Sequence, residues 1–334
     1  MLRYTIRRLV QLVGVVLVLS LLLFAWLRAL PGGPVSALLG ERSTPESRAA
    51  LTKQLGLDQP IFVQYFKFLG RAFSGDFGVS IGVQPGDSAM EIFLQRFPAT
   101  IELSFLAIVI AIAFGIPLGY LAAKRRGGWF DNLSVGGSLI GVAVPVFFLA
   151  YVLKDVLSSA LGLPTEGRQD AINATRVTGF FVLDGVITQE WDAALNALEH
   201  LVLPAVALST IPFAVVFRIT RAAVLDVLDE DFVRTAESKG LTTPVIRRRH
   251  VLRNAMLPVV TTIGLQTGAL LAGAVLTEKV FSFAGVGQAL AIGFERRDYP
   301  VLLLLIIMAT IVYVVVNLLV DLSYALIDPR IRTR

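Results

Sequence analysis

Side chains able to do chemistry are scarce in this sequence, and their spacing excludes more than it offers. No lysine is followed by Ser or Thr, so no phosphate-cradling G-x-x-x-x-G-K-[ST] loop exists. The chain has no cysteine, which removes thiolate metal sites, disulfides and cysteine nucleophiles. His200 and His250 are its two histidines, too few for a three-histidine site and unsuited to an H-E-x-x-H helix. Gly78-Val79-Ser80-Ile81-Gly82 matches the hydrolase pattern G-x-S-x-G. That pattern works only at a strand–turn–helix junction with a histidine and an acid at hand. Here it follows an amphipathic helical stretch, while His200 opens a later apolar segment and His250 sits among arginines, so it reads as a loop.

The charges bordering the apolar segments tell the same story. Lys154, Asp155, Glu278 and Lys279 fall at one end of such segments, and Arg218 and Asp321 at the other. All are within snorkelling reach of an interface. No carboxylate stands mid-segment, which leaves a secondary transporter's proton or sodium relay, or a catalytic dyad, without its parts.

The elements that must hold these residues are membrane spans. Of 334 residues, 55% are hydrophobic and 16% charged, and the mean hydropathy is +0.72. Soluble domains average roughly 45–50% apolar and about 25% charged. A span needs about 20 apolar residues, because hydrocarbon about 30 Å thick is crossed at about 1.5 Å per residue. Six stretches qualify, at about 8–30, 100–123, 132–157, 200–222, 255–278 and 299–325. Val177 to Leu183 is too short to span and reads as an external segment. Arg3, Arg7 and Arg8 before the first apolar run also suit a signal peptide, but the run is long and no small-x-small site follows it.

Lys and Arg set the orientation. With the N-terminus inside, the inner segments hold Arg3, Arg7 and Arg8, then Lys124 to Arg126, then a dense set from Arg218 to Arg253, then Arg330, Arg332 and Arg334. The two shorter outer loops hold Arg168, Arg176, Lys279, Arg296 and Arg297. The net charge of +5 therefore predicts both termini in the cytoplasm rather than a nucleic-acid partner. Trp26 and Trp129 suit the interfacial aromatic belt. Pro117, Pro145, Pro204 and Pro212 fall within spans, each able to kink a helix, and Gly115, Gly119 and Gly141 beside them allow close packing.

Two loops are organised. In the outer loop 31–99, Thr44-Pro45-Glu46 reads as a helix cap, and that helix stops at Gly56. A second helix starts near Pro60, with Ile61, Tyr65 and Leu69 on one face and Phe62 and Phe66 beside them. The pair rests on the membrane surface or the bundle, or forms part of an outer docking surface. In the inner loop 223–254, Asp229, Glu230 and Asp231 mark a helix start, Lys239 its last turn and Gly240 its stop. Thr243-Pro244 opens a second helix bearing Arg247, Arg248, Arg249 and Arg253. A solvated loop touching lipid phosphates is the plain alternative, but two capped helices argue for a protein partner, to which small Ala236 would permit close approach.

Several of these segments carry a resemblance. Arg218-Ile-Thr-Arg221, Asp231-Phe-Val-Arg-Thr-Ala-Glu-Ser-Lys-Gly-Leu241 and Arg253-Asn-Ala-Met-Leu-Pro258 resemble the inner loop of ABC-importer permeases. More narrowly, they look like the dipeptide, oligopeptide and nickel permease family. Leu55 to Pro60, Gly75 to Ser80, Glu278 to Phe281, Gly285 to Gly287, Arg297 to Pro300 and Asp328 to Arg332 match other segments of that family in order. The chain departs from the general importer motif in placing Arg234 and Thr235 where Glu-Ala stands, and Pro258 lies five residues further from Gly240 than in sugar-type importers. Both departures are characteristic of the peptide branch.

The resemblance implies an all-α integral membrane protein with the type I ABC importer permease fold. It implies one permease domain over 1–334, with six helices and a long outer loop after the first, as in the first of two homologous permease subunits. It implies that Arg234, Thr235, Ala236, Glu237, Ser238, Lys239, Gly240 and Leu241 form the ATPase-coupling loop. Glu278, Phe281, Gly285, Gly287, Asp298 and Tyr299, in the segment between the fifth and sixth spans, would line the outer mouth and help seal or gate it, with Gly285 and Gly287 as tight-turn residues; a turn that simply connects two helices is the alternative. The expected partners are a second permease, two ATPase domains, separate or fused, an extracytoplasmic peptide-binding protein and the bilayer of a bacterial inner membrane. The chain itself would be non-catalytic, binding no cofactor or metal while ATP and Mg serve the partner subunits. Di- or oligopeptides are the expected cargo, with nickel or another small solute the alternative.

Overall fold

The longest helices form where small residues recur every fourth position. A computed structural model of the chain describes residues 2–29, 35, 39, 44–54 and 57–327. Helix α1 covers Leu2–Ala29 and α2 Pro45–Gln54, where the Thr44 hydroxyl accepts the Ser47 N–H at 3.2 Å. The expected stop of α2 at Gly56 and the motif Asp328 to Arg332 lie outside the described residues. Helix α3 spans Ile61–Phe73 and α4 Ala89–Lys124, capped by the Ser88 hydroxyl on the Glu91 N–H. After α5 (Trp129–Ala143) and α6 (Val146–Leu161) come α7 (Phe181–Ile187) and α8 (Trp191–Leu228). On the inner loop α9 runs Asp231–Ser238. Helix α10 starts at Thr243–Val245, widens to a π-helix over Ile246–Leu252 and continues as Arg253–Gly273. Helices α11 (Val275–Val280), α12 (Val286–Arg296) and α13 (Tyr299–Ile327) complete the order.

On α4, Ala99, Leu103, Ala107, Ala111, Gly115 and Gly119 form one buried ridge at four-residue spacing. It meets a matching ridge on α8 that includes Leu201, Ala205 and Leu208. Such ridges let two backbones approach within a membrane, where packing rather than water exclusion drives association. A Cβ on Gly119 would lie 2.6 Å from the Phe217 carbonyl oxygen and 2.9 Å from the Thr220 Cβ. Leu270 and Ala274 of the α10–α11 region, Phe281 and Phe283 close the core against this pair. Helix α1 stands at the edge, held to α13 through Leu23, Leu303 and Ile307.

Five described helices are long and apolar enough to cross a membrane: Ile6–Trp26, Ala89–Lys124, Trp191–Leu228, Thr243–Leu271 and Tyr299–Val320. The span expected at 132–157 differs from expectation. It is two helices, Trp129–Ala143 and Val146–Leu161, bent by 101°. The residue before a proline is pushed out of the helical region, and Val144 (ψ 124°) and Pro145 (ψ 131°) are both extended. Pro98, Pro117, Pro204, Pro212 and Pro258 sit inside continuous helices, so most prolines within spans do not break them. The segment expected at 255–278 also breaks, at Ala274 (ψ 4°), leaving α11 as a separate short helix.

Candidate functional site

The inner-loop site is built from a short helix anchored on one face. In α9, Val233 and Ala236 are buried with Ala123, Val224, Ile246, Val251 and Ala255. Ala236 therefore does not face a partner, contrary to expectation. Its small side chain seats the helix on the bundle, because α9 lies against the first turns of α10. Arg234, Thr235, Glu237, Ser238, Lys239, Gly240 and Leu241 are all exposed around it. Gly240 has φ +73°, and its N–H donates to the Glu237 carbonyl at 2.9 Å. The Leu241 N–H donates to the Ala236 carbonyl at 3.3 Å, which completes a Schellman stop. Ser238 is the last helical residue and Lys239 the cap.

Next to α9 the π-helical stretch carries Arg247, Arg248 and Arg249, with Ile246 and Val251 turned inward. A π-bulge within a helix frequently marks a functional position. Arg221, near the inner end of α8, makes a bidentate pair with Asp131 in the first turn of α5, at 2.5 and 2.7 Å. The Gly127 N–H adds a third bond to that carboxylate at 3.0 Å. Arg126 reaches Asp229 at 3.7 Å, linking the α4–α5 turn to the start of the inner loop. Sequence reasoning singled out Arg221 within its motif but missed Asp131. An acid opening an apolar helix is a readable signal, but its partner ninety positions away is not.

Two of the expected outer residues, Glu278 and Asp298, each centre a separate hydrogen-bond network. Glu278 is fully buried, and its carboxylate accepts the Thr100 hydroxyl at 2.7 Å and the Gln288 N–H at 2.9 Å. Thr100 in turn accepts the Val286 N–H at 2.9 Å. Glu278 and Thr100 thus cap the N-terminus of α12 from two other helices, their oxygens accepting N–H groups that the helix itself leaves unpaired. Gly285 and Gly287 differ from expectation. Neither has positive φ; that conformation falls to Ser282 and Arg297. The glycines serve close approach instead. A Cβ on Gly285 would lie 2.3 Å from a Glu278 carboxylate oxygen, and one on Gly287 would lie 2.6 Å from the Val275 Cα. Phe281 is buried in the core, and its carbonyl accepts the Gly167 N–H at 3.0 Å.

Asp298 belongs to the second network. Its carboxylate accepts the Ser80 hydroxyl at 2.5 Å and the Gly82 and Val83 N–H groups at 2.9 Å. The G-x-S-x-G match is thereby a loop clamped by an acid. His200, for its part, pairs with Asp170 at 3.5 Å. Tyr299 meets Trp26 edge-on at 6.0 Å between ring centroids. Of the six expected outer residues, Gly287 alone lines the open groove of about 450 Å³ formed by Thr100, Leu271, Val275, Leu290, Thr310 and Tyr313, among others.

Sequence reasoning also missed a buried lock built on Arg168 and Asp184. Arg168 pairs with Glu102 at 2.8 Å, lies 3.6 Å over the Phe181 ring, and donates to the Gly179 carbonyl at 2.8 Å. Burial lowers its guanidinium from the ordinary value, against the Glu102 charge that raises it. Asp184, also buried, accepts the Thr178 N–H and hydroxyl and the Gly179 N–H. Burial pushes its carboxyl up, but these hydrogen bonds outweigh it and hold the group below the ordinary range. That contribution to stability is present above the unfolded value and lost as pH falls through the depressed one.

Thr100→Val tests the α12 cap, since it keeps the shape and removes both bonds. It is expected to cost about 1–3 kcal/mol by leaving the Val286 N–H and a Glu278 oxygen unpaired. Thermal unfolding in detergent measures this, and an unchanged midpoint would show that the cap contributes nothing.

These features agree with comparison to known proteins. Residues 115–333 match the family described as binding-protein-dependent transport system inner membrane component, and residues 1–104 match its N-terminal counterpart. The dipeptide transport system permease protein DppB of Escherichia coli K12 is 43% identical over 99% of both chains. The di/tripeptide transport system permease protein DppB of Pseudomonas aeruginosa is 42% identical over 99% of both chains. A solved inward-facing structure of the MetNI methionine ABC transporter superposes with a TM-score of 0.55 at 15% identity, over 72% of this chain and 97% of that one. It shows the fold, that of a type I ABC importer permease. The chain belongs to the binding-protein-dependent transport system inner membrane components, the multi-span permeases of ABC importers.

Proposed function

We propose that this chain is the permease subunit of an ATP-driven importer of dipeptides or similarly short peptides. The observation that carries the reading is the end-to-end match to dipeptide permeases, 43% identical over 99% of both chains. The chain forms half of the pathway beside a second, homologous permease. An extracytoplasmic binding protein delivers the peptide, and two ATPase domains, separate or fused, dock on the inner loop. Both termini lie in the cytoplasm in this reading, the orientation that the Lys and Arg distribution favours. ATP and Mg are used by the partners, and this chain transmits their closure rather than catalysing a reaction. The exposed rim of α9 supports this role, since a helix seated by Val233 and Ala236 moves with α10 as one body.

The test is reconstitution of the full assembly in vesicles with its binding protein. ATP-dependent uptake of a labelled dipeptide supports the reading; uptake of nickel and no peptide would overturn the substrate. Gly240→Val tests the coupling element in the same system. The residue's left-handed conformation costs a non-glycine side chain about 1–2 kcal/mol. Open space surrounds its Cβ position, so the strain re-aims the Lys239–Leu241 turn without disturbing the spans. The variant is expected to assemble normally and lose most peptide uptake while ATP hydrolysis persists. Uptake at the wild-type rate would remove the turn from the coupling pathway.

A further inference from the structure

Helix α3 carries an apolar face that no described residue covers. Ile61, Phe62, Phe66 and Phe73 are each more than 60% exposed, and no residue of α3 is buried. At about 100° per residue, Phe62, Phe66, Leu69 and Phe73 fall within about 60° of one another. Exposed Lys67 and Arg71 point about 130–170° away from the middle of that arc. A third side of the helix is tied to α1. The Tyr65 hydroxyl shares a hydrogen bond with Ser20 at 2.9 Å, and its ring meets Phe24 edge-on at 5.1 Å. Phe68 packs on Phe24 and Leu23, and Arg28 donates twice to the Gln64 side-chain oxygen, at 2.6 and 3.1 Å.

These ties fix the depth. The apolar span of α1 runs Ile6–Trp26. Ser20 lies about 9 Å along the helix below Trp26, at about 1.5 Å per residue. The contacts that hold α3 therefore span the final turns of a membrane helix, level with the boundary between headgroups and acyl chains. Amphipathic helices lying in a bilayer interface bury their apolar face to about 5–10 Å. On α1, Val13, Leu17 and Leu21, within about 80° of one another, are also exposed.

We infer that α3 lies in the membrane leaflet at the Trp26 end of α1, with Phe62, Phe66 and Phe73 among acyl chains and Lys67 and Arg71 turned to phosphate headgroups. Its occupant is lipid rather than a protein partner. In the orientation proposed above this is the outer leaflet, and the inference does not depend on the transported substrate. The helix extends the footprint of α1 sideways and braces the one span that the core holds at a single edge.

The natural absence of cysteine makes the test direct. Spin labels are placed by Phe62→Cys, Phe66→Cys, Phe73→Cys, Lys67→Cys and Arg71→Cys in the full assembly with cysteine-free partners. The assembly is held in phosphatidylethanolamine–phosphatidylglycerol vesicles with the binding protein added. Collision with oxygen, which concentrates in acyl chains, is compared with collision with water-soluble chromium oxalate. The expected result is a several-fold preference for oxygen at 62, 66 and 73 and the reverse at 67 and 71. Chromium oxalate access at the three phenylalanine positions would overturn the inference in favour of a water-exposed helix. Shielding of those positions from both reagents would overturn it in favour of a protein-covered one.

Discussion

Replacing Gly119 by leucine is expected to separate the two longest helices and abolish the folded subunit. The α4 and α8 backbones come so close at this point that even a single methyl group would lie 2.6 Å from the Phe217 carbonyl oxygen. Overpacking of a close-packed interior costs about 1–3 kcal/mol and occasionally more. A leucine against backbone, which cannot turn aside as a side-chain tip can, belongs at or above the top of that range. Gly119→Ala should be intermediate, and Gly115→Ala milder, because there the nearest atoms are the Val216 side chain at 3.0 Å. Gly14→Leu in α1 is the control, since nothing lies within 4 Å of its Cβ position. Unfolding midpoints and the yield of monodisperse protein in detergent measure the series. A Gly119→Leu subunit with the wild-type midpoint would mean that the helices do not approach in this way.

The second large effect is expected at Arg221. Its truncation to alanine leaves the Asp131 carboxylate, 2% exposed, with the Gly127 N–H alone. Breaking a fully buried pair from one side costs about 3–5 kcal/mol, because the surviving charge keeps its desolvation without its partner; with the Arg221 side chain 26% exposed, this pair belongs near or below the bottom of that range. Arg221→Lys should recover only part of the loss, since an ammonium cannot reproduce the two-pronged contact. The double variant Asp131→Ala with Arg221→Ala should be less destabilised than the sum of the singles, and the difference is the coupling energy. Strict additivity would show that the two side chains act independently. Because the pair joins the start of α5 to the inner end of α8, beside the inner loop, peptide uptake should fall further than stability alone accounts for.

What could be read from the residues was whatever repeats locally. Apolar runs gave the spans, Thr44-Pro45 a helix start, and Gly240 a helix stop. The inner loop reads as two helices because acids, a glycine and a proline stand at its element ends. Pairings between distant segments were illegible. Glu278 looks in sequence like an interfacial acid, yet it caps a helix eight residues onward through a threonine from α4. Gly285 and Gly287 look like turn residues, yet their function is to admit a carboxylate and a backbone. Ala236 looks like a docking surface, yet it is the seat of its helix. The bend at Pro145 was equally hidden among prolines that leave their helices continuous. Local composition does not show which proline is joined by a second extended residue.

That bend has a consequence for wetting. Two successive extended residues interrupt the intrahelical ladder, so carbonyl oxygens near Val142 and Ala143 lack the donors that a continuous helix would provide. In hydrocarbon each such group costs several kcal/mol, and irregular backbone survives at membrane depth only against protein or water. Ile140 and Val142 are exposed within the single chain. The elbow is therefore a poor neighbour for lipid and a good one for an aqueous lumen or a second subunit. Bilayer solvation therefore adds to the Arg221–Asp131 tie in orienting the α5–α6 pair, since it favours arrangements that turn the broken corner away from lipid and leave the intact helical flanks to meet it.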